Sequence, residues 1–189
     1  MTKARIVGFT IIELMIGLAI AGLLLVLAMP SYTLWIADAQ IRNAAESIAS
    51  GLRYAQTEAI KRDSQVAFTI NPTTGTGGWT ATLVIDGSTL QTGTFREGAN
   101  MVTFVPIPAA STTVTFTGLG QIGPNALGAT MTEVRLDTST GSAGARKLNV
   151  LVGGGASAVA GQGSRTGIKI CDPQANLKFG NNDPKACPT

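Results

Sequence analysis

Residues 3–14 read Lys3-Ala4-Arg5-Ile6-Val7-Gly8-Phe9-Thr10-Ile11-Ile12-Glu13-Leu14, and the reading of this stretch decides the fold. A short basic leader ends in Gly8. An apolar run follows from Phe9 to Met29, interrupted by a single carboxylate, Glu13. The run is 21 residues long; at about 1.5 Å rise per residue it spans roughly 31 Å as a helix, enough for a bilayer core. No small-x-small cleavage pattern follows it, so it does not read as an ordinary secretory signal. The processing point instead precedes it, at Gly8-Phe9, and leaves the apolar helix on the mature chain. A carboxylate taken out of water costs several kcal/mol unless it is paired. A chain that places Glu13 inside its one membrane-length segment therefore implies a partner for it.

Gly8-Phe9-Thr10-Ile11-Ile12-Glu13-Leu14 resembles the class III signal of type IV prepilins and type II secretion pseudopilins. The resemblance implies that a membrane prepilin peptidase cuts after Gly8 and methylates the new first residue, Phe9. It implies that Glu13, fifth in the mature chain, neutralises the terminal ammonium of a neighbouring subunit during filament growth. A plain signal anchor would account neither for Gly8 nor for the position of the acid. Lys3 and Arg5 would hold the leader in the cytoplasm, with the remainder exported from the inner membrane.

Composition supports one exported domain beyond the helix. The chain has 189 residues, 13% of them charged, 23 Gly and no His. His-based acid–base chemistry and His metal ligation are thereby excluded. Frequent Thr, Gly and Val beyond the helix point to a β-rich domain with many turns. The net charge of +3 falls to 12 basic against 11 acidic side chains once Lys3 and Arg5 leave with the leader. Bulk charge thus says little about partners. Two cysteines near the end of an exported domain, Cys171 and Cys187, read as one disulfide, and their spacing excludes a CxxC redox motif. Two thiols without His make a metal site improbable, and no cofactor is expected.

Past Pro30, Leu34, Ala37, Ile41, Ala44, Ile48, Leu52, Ala55 and Ala59 recur at steps of three and four, the apolar face of an amphipathic helix. Asp38, Arg42, Glu46 and Arg53 lie off that stripe. Asp38–Arg42 and Glu58–Arg62 are spaced as i,i+4 pairs. Lys61 and Arg62 suit the negative end of the helix dipole, which places the helix end near Asp63-Ser64. Pro30 should kink or loosen the helix; Gly51 permits a second adjustment or close packing. Strands are predicted at residues 65–70, 79–85, 90–95, 101–105, 112–116, 133–136, 147–151 and 166–170. Asp86-Gly87 between two of them is a hairpin signal. The glycine-rich stretch 153–163 reads as a long exposed segment. The predicted organisation is a leader (1–8), a transmembrane or filament-core helix (9–29), an amphipathic helix (30–63) and a β-rich domain with a C-terminal disulfide loop (64–189). The fold class is α+β, a long N-terminal helix packed on antiparallel sheet.

Tyr54-Ala55-Gln56-Thr57-Glu58-Ala59-Ile60-Lys61-Arg62 and Thr115-Phe116-Thr117-Gly118-Leu119-Gly120 resemble segments of the FimT/GspH branch, with Gln56 where Arg is usual. The Cys171-Asp172-Pro173 and Asn182-Asp183-Pro184-Lys185-Ala186-Cys187 pair is similar to the disulfide region of FimU/FimT-type minor pilins. No phosphate-cradling glycine motif opens a helix, and no nucleophile has an identifiable base. From residue 141 onward six basic residues oppose two acidic ones, a pattern that could meet phosphates through Arg165, Lys169, Lys178 and Lys185. Some FimT-like minor pilins carry a Gly-Arg-x-Arg motif for DNA uptake. Here the matching place reads Gly167-Ile168-Lys169-Ile170-Cys171, so the motif is not intact. These resemblances imply a non-catalytic minor pilin that works with other major and minor pilins in priming assembly at the pilus tip. A DNA-uptake receptor of the same fold and an H-type pseudopilin of type II secretion are the alternatives.

Overall fold

The computed structural model describes residues 9–125, 128–138, 147–153, 167–174 and 187. One helix, α1 (Ile11–Arg62), runs through two compact units, residues 1–36 and 37–189. The large apolar side chains from Phe9 to Met29 are exposed on every side; Ile20, the least exposed of them, is 55% accessible. No single helix among the described residues is long and apolar enough to cross a membrane. The stretches Ile11–Leu27 and Ser31–Arg62 meet that requirement only together, across a bend at the position of Pro30.

Among the described residues, the second unit joins the rest of α1 to eight strands, all antiparallel. They are β1 (Val66–Asn71), β2 (Gly78–Leu83), β3 (Thr89–Thr94), β4 (Val102–Ile107), β5 (Thr113–Phe116), β6 (Glu133–Thr138), β7 (Leu148–Val152) and β8 (Ile168–Cys171). Each predicted strand forms, its ends shifted by no more than one or two residues. One sheet has the order β3-β2-β1-β5 and the other β4-β6-β7-β8. The β2–β3 hairpin closes where Asp86-Gly87 lies: Gly87 N donates to Leu83 O at 2.9 Å, and the Asp86 carboxylate accepts from Ser88 N at 2.9 Å. Such an Asx turn with Gly in the left-handed region is the local chemistry the dipeptide provides.

One core receives side chains from α1 and both sheets. Ile41, Ala44, Ile48, Leu52, Ala55 and Ala59 are buried, as the periodicity requires, and Ala45, Ala49 and Gly51 widen the stripe. Leu34 departs from the expectation: it stays 36% exposed, and burial begins at Ala37. The three- and four-step spacing marks one helix face, but spacing alone does not say how far along the helix that face is buried; the core cluster takes it from Ile41 onward. Trp79 on β2 explains the small residues around it. A Cβ on Gly51 would lie 2.7 Å from the Trp79 ring, and one on Gly93 of β3 would collide with the same indole. The buried indole N–H donates to Ser47 Oγ at 3.1 Å. Gly51 therefore serves close packing, not a helix adjustment. Phe95 and Phe104 stack at 4.3 Å between centroids, linking the chain after β3 to β4 of the other sheet.

At the helix end Glu58 is nearly buried and takes hydrogen bonds from Arg62 Nε at 2.8 Å and Lys61 Nζ at 3.4 Å. The bond from Arg62, helped by Lys61 and opposed by burial, holds the Glu58 carboxyl below its ordinary value of 4.5. A lowered folded-state pKa contributes stability that is present above the ordinary value and lost as pH falls through the folded one. Glu58→Gln should therefore unfold more easily than the parent at neutral pH. That gap should close as denaturant titrations are repeated below pH 4.5; a pH-independent gap would assign the loss to packing instead.

Candidate functional site

The start of α1 is built by Thr10. Its Oγ1 accepts from the backbone N of Glu13 at 3.3 Å, and its carbonyl accepts from Leu14 N at 3.2 Å. Thr10 is thus the N-cap and Glu13 the third helical residue, the Thr-x-x-Glu spacing of a capping box. An acid in the first turn also complements the helix dipole. Reading Glu13 only as a charge awaiting a partner missed this local role, although the spacing was present in the sequence. Phe9 stands just before the helix and is exposed, as is Glu13, so the carboxylate is presented outward. Gly8 lies outside the described residues.

An all-round apolar helix segment has no polar face to leave in water, so it needs lipid or other helices around it. Its large apolar side chains from Ile11 to Met29 are exposed. The site that the N-terminal sequence specifies is an exposed apolar helix with one acid in its first turn.

The C-terminal site is described in part. Cys171, at the end of β8, is bonded to Cys187, with Cα atoms 4.9 Å apart. The bond ties the chain end to β7–β8, since Cys171 pairs in register with Asn149. Closing a loop of 16 residues stabilises a domain by about 3 kcal/mol. Cys187→Ser should accordingly lower unfolding stability by about 2–4 kcal/mol in denaturant titrations, with no effect expected if both thiols are free in the exported protein. Lys169 is exposed on β8, the edge strand among the described residues, where a lysine also discourages strand addition. Arg165, Lys178 and Lys185 lie outside the described residues, as does most of the glycine-rich segment. Among the described residues no acidic or cysteine cluster is placed to hold a metal ion.

The segment Thr115–Gly120 is structural. Phe116 is buried, and Gln56 Nε2 donates to Gly120 O at 2.8 Å, fastening the turn after β5 to α1. The residue that replaces the usual Arg thus holds helix to sheet.

The family model described as type II transport protein GspH matches residues 44–155, from the buried face of α1 through β7. The chain belongs to this type IV pilin-like family. Two fimbrial proteins of Pseudomonas aeruginosa are each 36% identical to it over 83 residues, 43% of this chain and 53% of theirs. The chain thus spans about half the length of the curated relatives it matches. The type IV minor pilin FimU of P. aeruginosa PAO1 superimposes with a TM-score of 0.43 at 23% identity, over 59% of this chain and 81% of that one. In a second crystal form the values are 0.41, 21%, 58% and 85%. The GspH match covers neither Phe9 and Glu13 nor the Cys171–Cys187 bond. What those residues do in this GspH-family chain rests on their own chemistry.

Proposed function

We propose that this GspH-family chain is a minor pilin of a type IV pilus with a structural, non-catalytic role, priming assembly at the tip. The prepilin peptidase removes residues 1–8 after Gly8 and methylates Phe9. The subunit then waits in the inner membrane on a single span, residues 9–29, with the β-rich domain in the periplasm. On assembly it joins other major and minor pilins in the filament on the cell surface. The observation that carries this reading is the apolar stretch from Phe9 to Met29, its large side chains all exposed, in a chain whose second unit has a hydrophobic core of its own. Burying such a surface is favourable at about 25 cal/mol per Å², and a lipid phase or a filament core can supply the cover. The test is mass spectrometry of sheared surface filaments: the chain should start at methylated Phe9 and co-isolate with other pilins. Its confinement to the membrane fraction under piliated conditions would overturn the reading.

The family description favours one alternative, the H-type pseudopilin of type II secretion. In that case deletion of the gene would stop enzyme secretion and leave piliation intact. The DNA-uptake reading draws on Lys169, which is exposed, and on the basic residues Arg165, Lys178 and Lys185. A fragment beginning at Leu34 should bind double-stranded DNA weakly. Any binding should fall with salt at a log–log slope of about −0.9 per phosphate neutralised. Charge reversal at Arg165 and Lys169 should remove it, and reversal at Arg96 should matter less. Tight binding at physiological salt, lost in those variants, would make the receptor the leading reading.

A further inference from the structure

Residues 14–37 contain no charged side chain, and Tyr32 and Trp35 stand near the end of that stretch, just before Asp38. Their rings stack, 6.2 Å between centroids and 26° between planes. Both are open, 61% and 67% exposed. Trp79 shows what the same side chain does in the core: it is 5% exposed and donates to Ser47. The Trp35 indole N–H and the Tyr32 hydroxyl have no hydrogen-bond partner among the described residues.

A flat apolar ring with one polar tip is suited to the boundary between acyl chains and hydrated headgroups, where both ends are satisfied at once. An exposed pair of such rings, placed where an all-round apolar helix gives way to charged sequence, matches that boundary in chemistry and position. We propose that Tyr32 and Trp35 anchor α1 in the outer headgroup region of the membrane and set the depth at which the helix rests before assembly. The inference builds on the membrane-anchored reading above.

The depth has a consequence for Glu13. It precedes Trp35 by 22 residues, roughly 33 Å along a helix at about 1.5 Å per residue. A hydrocarbon core is about 30 Å thick. With Trp35 at the outer boundary, the lipid-embedded stretch is residues 14–34, displaced from the 9–29 read off the apolar run, and the Glu13 carboxylate reaches headgroup water at the inner boundary. The break at Pro30 tilts only the last turn or so of this length. In the resting subunit the acid is hydrated, and its need for a partner begins when the helix leaves lipid for a filament core.

The test uses the full chain reconstituted into phosphatidylethanolamine–phosphatidylglycerol vesicles. These are doped with lipids brominated either just below the headgroup or near the end of the acyl chain. The chain has two tryptophans, so parallel measurement of Trp35→Phe isolates the Trp35 emission by difference. Shallow bromine should remove the greater part of that emission and deep bromine little of it, while Trp79 emission stays unquenched by either. Deeper quenching than shallow, or no quenching of a chain that still floats with the vesicles, would overturn the proposal. The latter result is the one expected of an aromatic pair that serves only to contact another subunit. A chain that does not float with the vesicles overturns the membrane-anchored reading itself, and this inference with it.

Discussion

Replacing Glu13 by Ala is expected to leave the subunit in the membrane and keep it out of the filament. The exposed carboxylate sits in the first turn of α1, four residues from Phe9, the proposed mature amino terminus. While the subunit rests in the membrane, removing the carboxylate costs nothing, since it needs no partner there. In a filament core, a neighbour's terminal ammonium would lose its counter-charge, and an uncompensated buried charge is destabilising by about 3–5 kcal/mol. Incorporation should therefore fall by orders of magnitude, read as the ratio of sheared to membrane-bound protein in quantitative immunoblots. The Thr10 cap supplies the control. Glu13→Gln keeps a side chain of the capping-box type at the third helical position but removes the charge. If charge pairing matters, Gln should fail as Ala does. A Gln variant that assembles normally while Ala does not would assign Glu13 to helix capping, and normal assembly of both would dismiss the pairing.

Gly8→Val should block leader removal almost completely. A peptidase that must bring the Gly8-Phe9 peptide bond to its active site has little room for a β-branched side chain next to the cut, and valine also restricts the backbone it must bend. The uncut chain keeps Lys3 and Arg5 ahead of the apolar helix. Moving those charges through a bilayer costs about 2.5–3.5 kcal/mol each on insertion scales, so the uncut subunit should remain in the membrane. Intact-mass measurement of the membrane fraction should find Met1 retained and Phe9 unmethylated. A mature amino terminus at Phe9 in the variant would show that cleavage does not depend on Gly8.

Local chemistry made a large part of this protein legible in its sequence. The strand alternation, the Asp86-Gly87 turn and the three- and four-step spacing of Ile41, Ala44, Ile48, Leu52, Ala55 and Ala59 each involve residues within one or two turns or pleats of one another. The capping pattern Thr10-x-x-Glu13 is equally local. The family match spans residues 44–155, so the sheets carry the family signature as well as the helix.

What the sequence by itself determined, then, is the nature of each element: an apolar N-terminal helix with one acid, an amphipathic continuation, and eight short strands. The tertiary structure decided how they combine. β4 and β5 are neighbours in the chain but lie in different sheets, with β5 inserted beside β1 through the Val66–Phe116 register. Leu34 shares the spacing of the core residues yet stays exposed, and burial begins only at Ala37. Gly51 and Gly93, forty-two positions apart in the sequence, are both small because one indole lies between them. Periodicity reports which face of an element is apolar; which other element covers that face depends on contacts between residues far apart in the chain, and those exist only once the core has closed.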